Sequence, residues 1–436
     1  MRIVLMLLLA VALVSSRDVA GADADVTLAV AGRVNLTPWI ASDGDFVVVT
    51  WGARTPAGVG DVFVAVSRDA GVSFGPPVQV NTRIGEARLS GETGPRVAVH
   101  QTAGAADPQV VVLWNAKVDG RTEIRSARSL DAGRTFGAPV TLQTAGAAGD
   151  RGWPALAVDG DGAAHALWLD HRAMADPAGA HQHAGHDASV PASDQRDGVA
   201  MAQKSGLYYA RVGAAGVTAD RELVKGVCYC CKTALATGAP GSLFAAWRQV
   251  YAGNIRDIAF AQSRDGGKTF SAPVRISDDG WQLDGCPDDG PAIVVDRAET
   301  IHIVWPTVIG GANPEGALFY TSTRDGRTFT PRQRIPTLGS PKPSHPQIGQ
   351  DRGGRLYVAW DEVRNGVRSA AMRTLTVPQG KAVFGEAQAI GTGSGAYPVM
   401  AAAPRGLLVA WTSGAADQST IKVHRVAPPA RATAAR

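Results

Sequence analysis

Ser67-Arg-Asp69-Ala-Gly71-Val-Ser73-Phe74 is an octet that returns as Ser129-Leu-Asp131-Ala-Gly133-Arg-Thr135-Phe136 and as Ser263-Arg-Asp265-Gly-Gly267-Lys-Thr269-Phe270. A fourth copy, Thr323-Arg-Asp325-Gly326-Arg-Thr328-Phe329, is one residue shorter after its aspartate. The shared pattern, Ser-x-Asp-x-Gly-x-Thr-Phe, describes a tight hairpin turn. Its aspartate can accept hydrogen bonds from turn amides, its glycine can take a positive φ, and its Phe can bury between sheets. Asp69, Asp131, Asp265 and Asp325 therefore read as structural turn residues rather than as a site.

A wider repeat surrounds the octets. The short apolar runs FVVVTW, VVVLW, AHALW, LFAAW, IHIVW, LYVAW and LLVAW end at Trp51, Trp114, Trp168, Trp247, Trp305, Trp360 and Trp411. Their period and β-branched content mark them as strands. Most are preceded by a proline that opens another short strand: Pro38, Pro95, Pro154, Pro291, Pro346 and Pro398. In the fourth unit Thr233 takes that place. Each unit thus holds strand A after the proline, strand B ending in Trp, strand C leading into the octet, and strand D after the Phe. Four antiparallel strands per unit make a propeller blade. The sequence predicts an all-β propeller of seven four-stranded blades, with six blades and a flanking strand pair as the alternative count. A multi-sheet sandwich has no reason to repeat at this period. The last unit, from 392 to about 427, has no octet, and residues 26–35 could supply its outer strand and close the ring.

With its three full octets and one shortened copy, the chain resembles the Asp-box (BNR-repeat) proteins of the sialidase superfamily over nearly all of its length beyond the leader. The resemblance implies the fold more than the activity, because one fold hosts many functions. Sialidases hold a carboxylate with three arginines and use a Tyr nucleophile assisted by a Glu, with an Asp as acid/base. Their first arginine sits in an Arg-Ile-Pro motif at the opening of the first blade. Here that blade opens with Asn35-Leu-Thr-Pro38-Trp39, and Arg334-Ile-Pro336 follows the fourth octet on an outer strand. The resemblance therefore leaves sialidase activity open.

The segment MRIVLMLLLAVALVSS followed by Ala20-Gly21-Ala22 reads as a cleavable leader over 1–22. Its apolar run is too short for a comfortable bilayer crossing, and no later stretch spans a membrane. The chain is expected to be exported, periplasmic or extracellular. Residues 23–427 form one propeller domain with a His-rich insertion at 169–205, and 428–436 a disordered tail. A net charge of +4 over 436 residues, without a basic stripe, gives no electrostatic case for nucleic acid. The expected partner is a small molecule, a metal or a glycan, and the expected state a monomer.

With strand A innermost, the D→A and B→C loops share one face of the disc and the octets occupy the other. The ligand site belongs to the first face. Its loops carry all four cysteines: Cys228, Cys230 and Cys231 in the loop before blade 4, and Cys286 in the loop before blade 5. The blade 3 insertion adds His171, His181, His183 and His186, with Met174 and Met201. Thiolates beside imidazoles suit copper first, as Cu(I), and zinc second. Disulfides are the rival use of the same cysteines and would leave no cofactor. Because Cys230 and Cys231 are adjacent, each looks elsewhere for a partner, and Cys286 is the natural distant one. Arg248, Tyr397, Asp170 and Glu362 are the catalytic candidates. Arg172, Asp361 and Arg364 follow blade tryptophans, His345 precedes the proline of blade 6, and Asp150-Arg151 precede that of blade 3. Two functions stand out: an exported propeller that binds a ligand, with copper favoured at the Cys/His face, and, as the alternative, an exo-glycosidase of the exo-α-sialidase type with a rearranged site. A scaffold for another protein is a third.

Overall fold

The computed structural model describes residues 25–427 apart from 145, 175–198, 214–215, 284 and 286. The leader, the tail, His181, His183, His186 and Cys286 lie outside the described residues. Seven antiparallel sheets form seven blades. In blade 1 the inner strand Val34–Asp43 pairs with Phe46–Arg54, which pairs with Gly60–Ser67 and then with Val78–Gln79. The inner strands of blades 2 to 7 are Arg96–His100, Arg151–Val158, Ala234–Thr237, Ala292–Val295, Ser344–Gln350 and Ala396–Ala403. In blades 3 and 6 the outer position is split between two short segments. Blade 7 takes its outer strand from the start of the described chain: Val26–Leu28 pairs antiparallel with Thr420–Val426, matching Val26 to Val423 and Leu28 to Ile421. The closing strand is shorter than the 26–35 expected, because residues from Val34 onward already belong to the inner strand of blade 1.

Burial follows the repeat. The seven blade tryptophans are at most 2% exposed. Seven apolar clusters each join one blade to the next, from blades 1 and 2 around to blades 7 and 1. The hydrophobic core is thus a ring of interblade layers, each formed by the facing sides of two sheets.

The octets are C→D turns. Ser67 Oγ donates to Asp69 Oδ1 at 2.6 Å and accepts from the Gly71 amide at 2.7 Å, and the Ser73 amide donates to Asp69 Oδ1 at 2.9 Å. The same bonds recur at Asp131, Asp265 and, with the shorter spacing, Asp325. Donors from Thr135 and Ser129 hold the Asp131 carboxyl at about 2. Gly71 has φ 86°, and a Cβ there would lie 2.6 Å from Leu408 of blade 7, so the turn needs glycine for both conformation and packing. Two surface depressions, of about 260 and 520 Å³, lie beside the turns of blades 4 and 1, away from the opposite face where the unusual loops gather.

Candidate functional site

One position in every unit faces the propeller axis: the residue before the strand A proline, or before Thr233 in blade 4. These residues are Thr37, Gly94, Trp153, Lys232, Gly290, His345 and Tyr397. Thr37, Trp153, His345 and Tyr397 have φ between 51° and 55°. A left-handed, non-glycine residue directly before proline is strained twice over. At each of the four, the A–B pairing register shifts, between Leu36 and Trp39, Gly152 and Ala155, Ser344 and Gln347, and Ala396 and Val399. Such a bulge re-aims a side chain that the pleat would otherwise place within the sheet. The two glycines make room: a Cβ on Gly290 would lie 2.1 Å from the Lys232 carbonyl oxygen, and one on Gly94 2.4 Å from Thr37.

Contacts across the ring follow. Trp153 Nε1 donates to Asp288 Oδ1 at 2.9 Å, from blade 3 to the loop before blade 5. Lys232 Nζ donates to the Pro346 carbonyl at 3.2 Å and lies 3.6 Å from Glu92 Oε1. The His345 amide donates to Asp289 Oδ2 at 2.7 Å, and its ring nitrogens meet Asp361 Oδ2 at 2.7 Å and Glu92 Oε1 at 3.9 Å. The Tyr397 amide donates to Asp361 Oδ2 at 2.8 Å, and its ring centroid is 4.2 Å from that of His345. Arg368 pairs with the other oxygen of Asp361.

Electrostatics in this cluster are tightly linked. Burial draws the His345 imidazole down, but the carboxylates of Asp361, Asp289 and Glu92 reverse this and lift it to about 9. Burial lifts Asp289, opposed by His345 and Lys232. Asp361 is lowered: burial works against it, and the charges of His345 and Arg368 prevail. The Tyr397 hydroxyl is raised by burial and by the carboxylates of Glu92, Asp361 and Asp288. The ring therefore brings together the His345 imidazole, the Lys232 side-chain nitrogen, the carboxyl groups of Glu92, Asp288, Asp289 and Asp361, a phenol and the Trp153 indole, with Trp153, His345, Tyr397 and Asp288 partly open to solvent.

The other candidates are placed differently. Asp170 and Glu362 each stand two residues after a blade Trp, on the same side of the strand. Asp170 Oδ2 accepts from Trp168 Nε1 at 3.1 Å and from Arg151 Nε at 3.1 Å, and Arg172 also binds it. Glu362 Oε2 accepts from Trp360 Nε1 at 2.6 Å and from the Leu338 amide at 3.1 Å, with Arg364 3.8 Å away. Gln249 does the same for Trp247. Arg248 gives its terminal nitrogens to the carbonyls of Arg256 and Pro306 at 2.8 and 2.7 Å and stacks over Trp281. Asp150 accepts from the Thr122 amide at 2.7 Å. Of the four catalytic candidates, only Tyr397 belongs to the axial ring.

The cysteine loop lies beside Trp153, which packs against it along with Tyr229. The sulfurs of Cys228, Cys230 and Cys231 lie within 4.8 Å of one another, all buried. Cys228 and Cys231 are free thiols, with their sulfurs 2.8 Å apart. Burial raises the Cys228 thiol, but hydrogen bonding from Cys231 and the charges of Arg256 and Arg248 bring it down to about 6, whereas Cys231 is raised. His171 is buried against the Trp153 and Tyr229 rings, at centroid distances of 6.1 and 6.5 Å. His165 and His302 are engaged elsewhere, each bridging a tyrosine hydroxyl at 2.8 Å and an aspartate at 3.0 or 3.1 Å within its blade.

Glu92, Trp153, Lys232, Asp288 and Asp289 were not singled out from the sequence. The signal that could have found most of them is the position before the proline in each repeat and the residues flanking it. Nothing in the repeat marks Glu92 or Arg256.

No protein family matches the sequence, and no curated protein does. Solved structures do resemble it. An ulvan lyase, a polysaccharide lyase solved bound to GlcA(1-4)Rha3S, superposes with TM-score 0.55 at 9% identity, covering 94% of this chain and 96% of that one. The α-L-arabinofuranosidase of Fusarium graminearum, solved with arabinobiose, gives 0.51 at 13% identity, covering 92% and 97%. A Hadza microbial sialidase gives 0.48 at 14%, covering 90% of this chain, which spans 66% of that chain's length. The chain spans 55% of the Trypanosoma rangeli sialidase. At these identities the likeness is one of fold, and the fold is the seven-bladed β-propeller.

Proposed function

We propose that this protein is a carbohydrate-directed propeller that takes an uncharged sugar over the axial ring. The carrying observation is the convergence of Trp153, His345 and Tyr397, each itself a left-handed residue directly before a proline, on Asp288, Asp289, Glu92 and Lys232. Indole and phenol faces cover the apolar side of a sugar, and carboxylates with a neighbouring ammonium meet its hydroxyls. The glycan-processing activities of the ulvan lyase and the arabinofuranosidase support this reading by analogy of fold. An uncharged sugar fits better than a sialic acid. Arg96 is spent on the carbonyls of Glu92 and Gly94 and on the Trp39 ring, Arg151 on Asp170, and Arg248 on backbone carbonyls.

The proton-handling groups of the ring, Tyr397, His345 and Asp289, would serve cleavage of a glycosidic bond if the bound sugar is a substrate. An exported, periplasmic or extracellular setting, read from residues 1–22, belongs to the same proposal. The test is binding of the full chain to an array of neutral and acidic glycans, repeated with Trp153→Ala and Tyr397→Phe. The reading expects neutral glycans to bind and both substitutions to weaken them. Binding that ignores both substitutions, or that is confined to sialylated glycans, would overturn it.

A further inference from the structure

Two guanidinium groups are buried beside the loop before blade 4, and one of them donates to a sulfur of that loop. Arg256 is 0% exposed and Arg248 1%. Arg256 donates from Nε to Asn254 Oδ1 at 3.0 Å and from Nη1 to Cys228 Sγ at 3.3 Å, and its Nη2 is buried with no hydrogen-bond partner among the described residues. Arg248 has its terminal nitrogens on backbone carbonyls, and its Nε likewise has no hydrogen-bond partner among the described residues. Among the described residues no carboxylate forms an ion pair with either arginine. A buried cation needs a counter-charge, and the anion this site can furnish is the Cys228 sulfur. Cys231 Sγ stands 2.8 Å from it across a turn at Tyr229 and Cys230. The spacing is Cys-x-x-Cys, and the two sulfurs have unequal surroundings, since Arg256 donates to Cys228.

We propose that Cys228 and Cys231 form a redox dithiol, with Cys228 held as the thiolate by Arg256 and Arg248, that small peroxides oxidise to a Cys228–Cys231 disulfide. The Cys228 thiolate attacks one peroxide oxygen. The O–O bond breaks, hydroxide leaves and is protonated to water, and Cys228 becomes a sulfenic acid. The Cys231 sulfur then attacks the Cys228 sulfur and gives up its proton, and the second oxygen leaves as water. Two electrons pass from the sulfurs to the peroxide, and two waters form. The disulfide lies close in geometry, because the sulfurs need to approach by less than an ångström. Full burial restricts the exchange to small oxidants and reductants. Oxidation also strips the arginines of their anion, so the disulfide is the less favoured state and is easily reduced. This proposal does not depend on the sugar site.

The test uses the full chain, freshly reduced and cleared of reductant, then exposed to hydrogen peroxide. After denaturation and alkylation, peptide mapping assigns each cysteine. Before peroxide, Cys228 and Cys231 should both take the alkylating label. After it, neither should, and a mild dithiol should restore both. Cys231→Ser should stop at a sulfenic acid on Cys228, trapped by dimedone. Arg256→Met should slow oxidation about 10-fold or more, while Arg256→Lys, which keeps the charge, should stay within about threefold of the parent. Melting curves of both variants separate a kinetic effect from failure to fold, and if Arg256→Met does not fold, the lysine variant and the dimedone trap decide the matter. Thiols that stay alkylatable after peroxide, sulfenic acid on Cys231 instead of Cys228, or a stoichiometric metal ion on the sulfurs of the purified chain would each overturn it.

Discussion

His345 Nδ1 and Asp361 Oδ2 lie 2.7 Å apart at the axis of the propeller, and this one bond ties the inner strand of blade 6 to its neighbour in the sheet while fixing the charge of both groups. An unfolded imidazole titrates near ~6.5, and in the fold His345 titrates at about 9. The stability it contributes is therefore complete below about pH 6.5 and is lost as the pH rises through about 9. We expect thermal melting of the parent to fall faster than that of His345→Gln across that window, with a difference in slope of up to ~1.4 kcal/mol per pH unit for one proton. Parallel curves would show that the imidazolium does not hold the ring.

Lys232 is 2% exposed and Glu92 4%, and they meet 3.6 Å apart across the ring. Removing one partner leaves the other charge buried. Lys232→Met should cost about 3–5 kcal/mol in denaturant unfolding. Adding Glu92→Gln should restore a large part of it, and two costs that simply add would mean the pair is not coupled.

At the proposed sugar site, Trp153→Ala should weaken binding of a neutral glycan by about 10-fold, or ~1.4 kcal/mol. The same substitution opens space beside the cysteine loop, so its melting curve should be recorded with the isotherm. Calorimetric titration of Tyr397→Phe, which keeps the ring and removes the hydroxyl, separates stacking from hydrogen bonding.

The turn octets should behave in the opposite way. Ser129 is 1% exposed and serves both Asp131 and the Gly133 amide. Ser129→Ala should cost about 1–3 kcal/mol and leave the glycan isotherm unchanged. A normal unfolding curve with lost binding would move the site to the octet face.

The architecture was legible because every blade solves the same packing problem with the same residues. Trp51 and its six counterparts fill equivalent interblade layers, and the prolines mark equivalent strand starts, so the period survives even where Thr233 replaces proline. The axial ring was half legible. His345 and Tyr397 stand out beside their prolines, but Lys232 and Trp153 gain meaning only when seven equivalent positions are laid around one axis. Asp170 and Glu362 look like free acids in sequence and are anchors for tryptophan indoles in the fold. Arg256 beside Cys228 had no signature, because it is one charged residue at the start of an ordinary strand, whereas Arg248 stood out by following a blade Trp.

The closing strand has a mechanical consequence. Val26 lies opposite Val423 and Leu28 opposite Ile421, so residue 25 and residue 427 leave the sheet at the same end. His424 Nδ1 meets Asp25 Oδ1 there at 2.9 Å. Tension applied between those two points loads the His424–Asp25 contact first and then the backbone bonds one after another, as a zipper is loaded, rather than all together in shear. Heat must break the interblade layers on both sides of blade 7 to open the ring, whereas a pull on its two ends meets only one short row of bonds at a time. The clasp that resists temperature is the place where the disc yields to force.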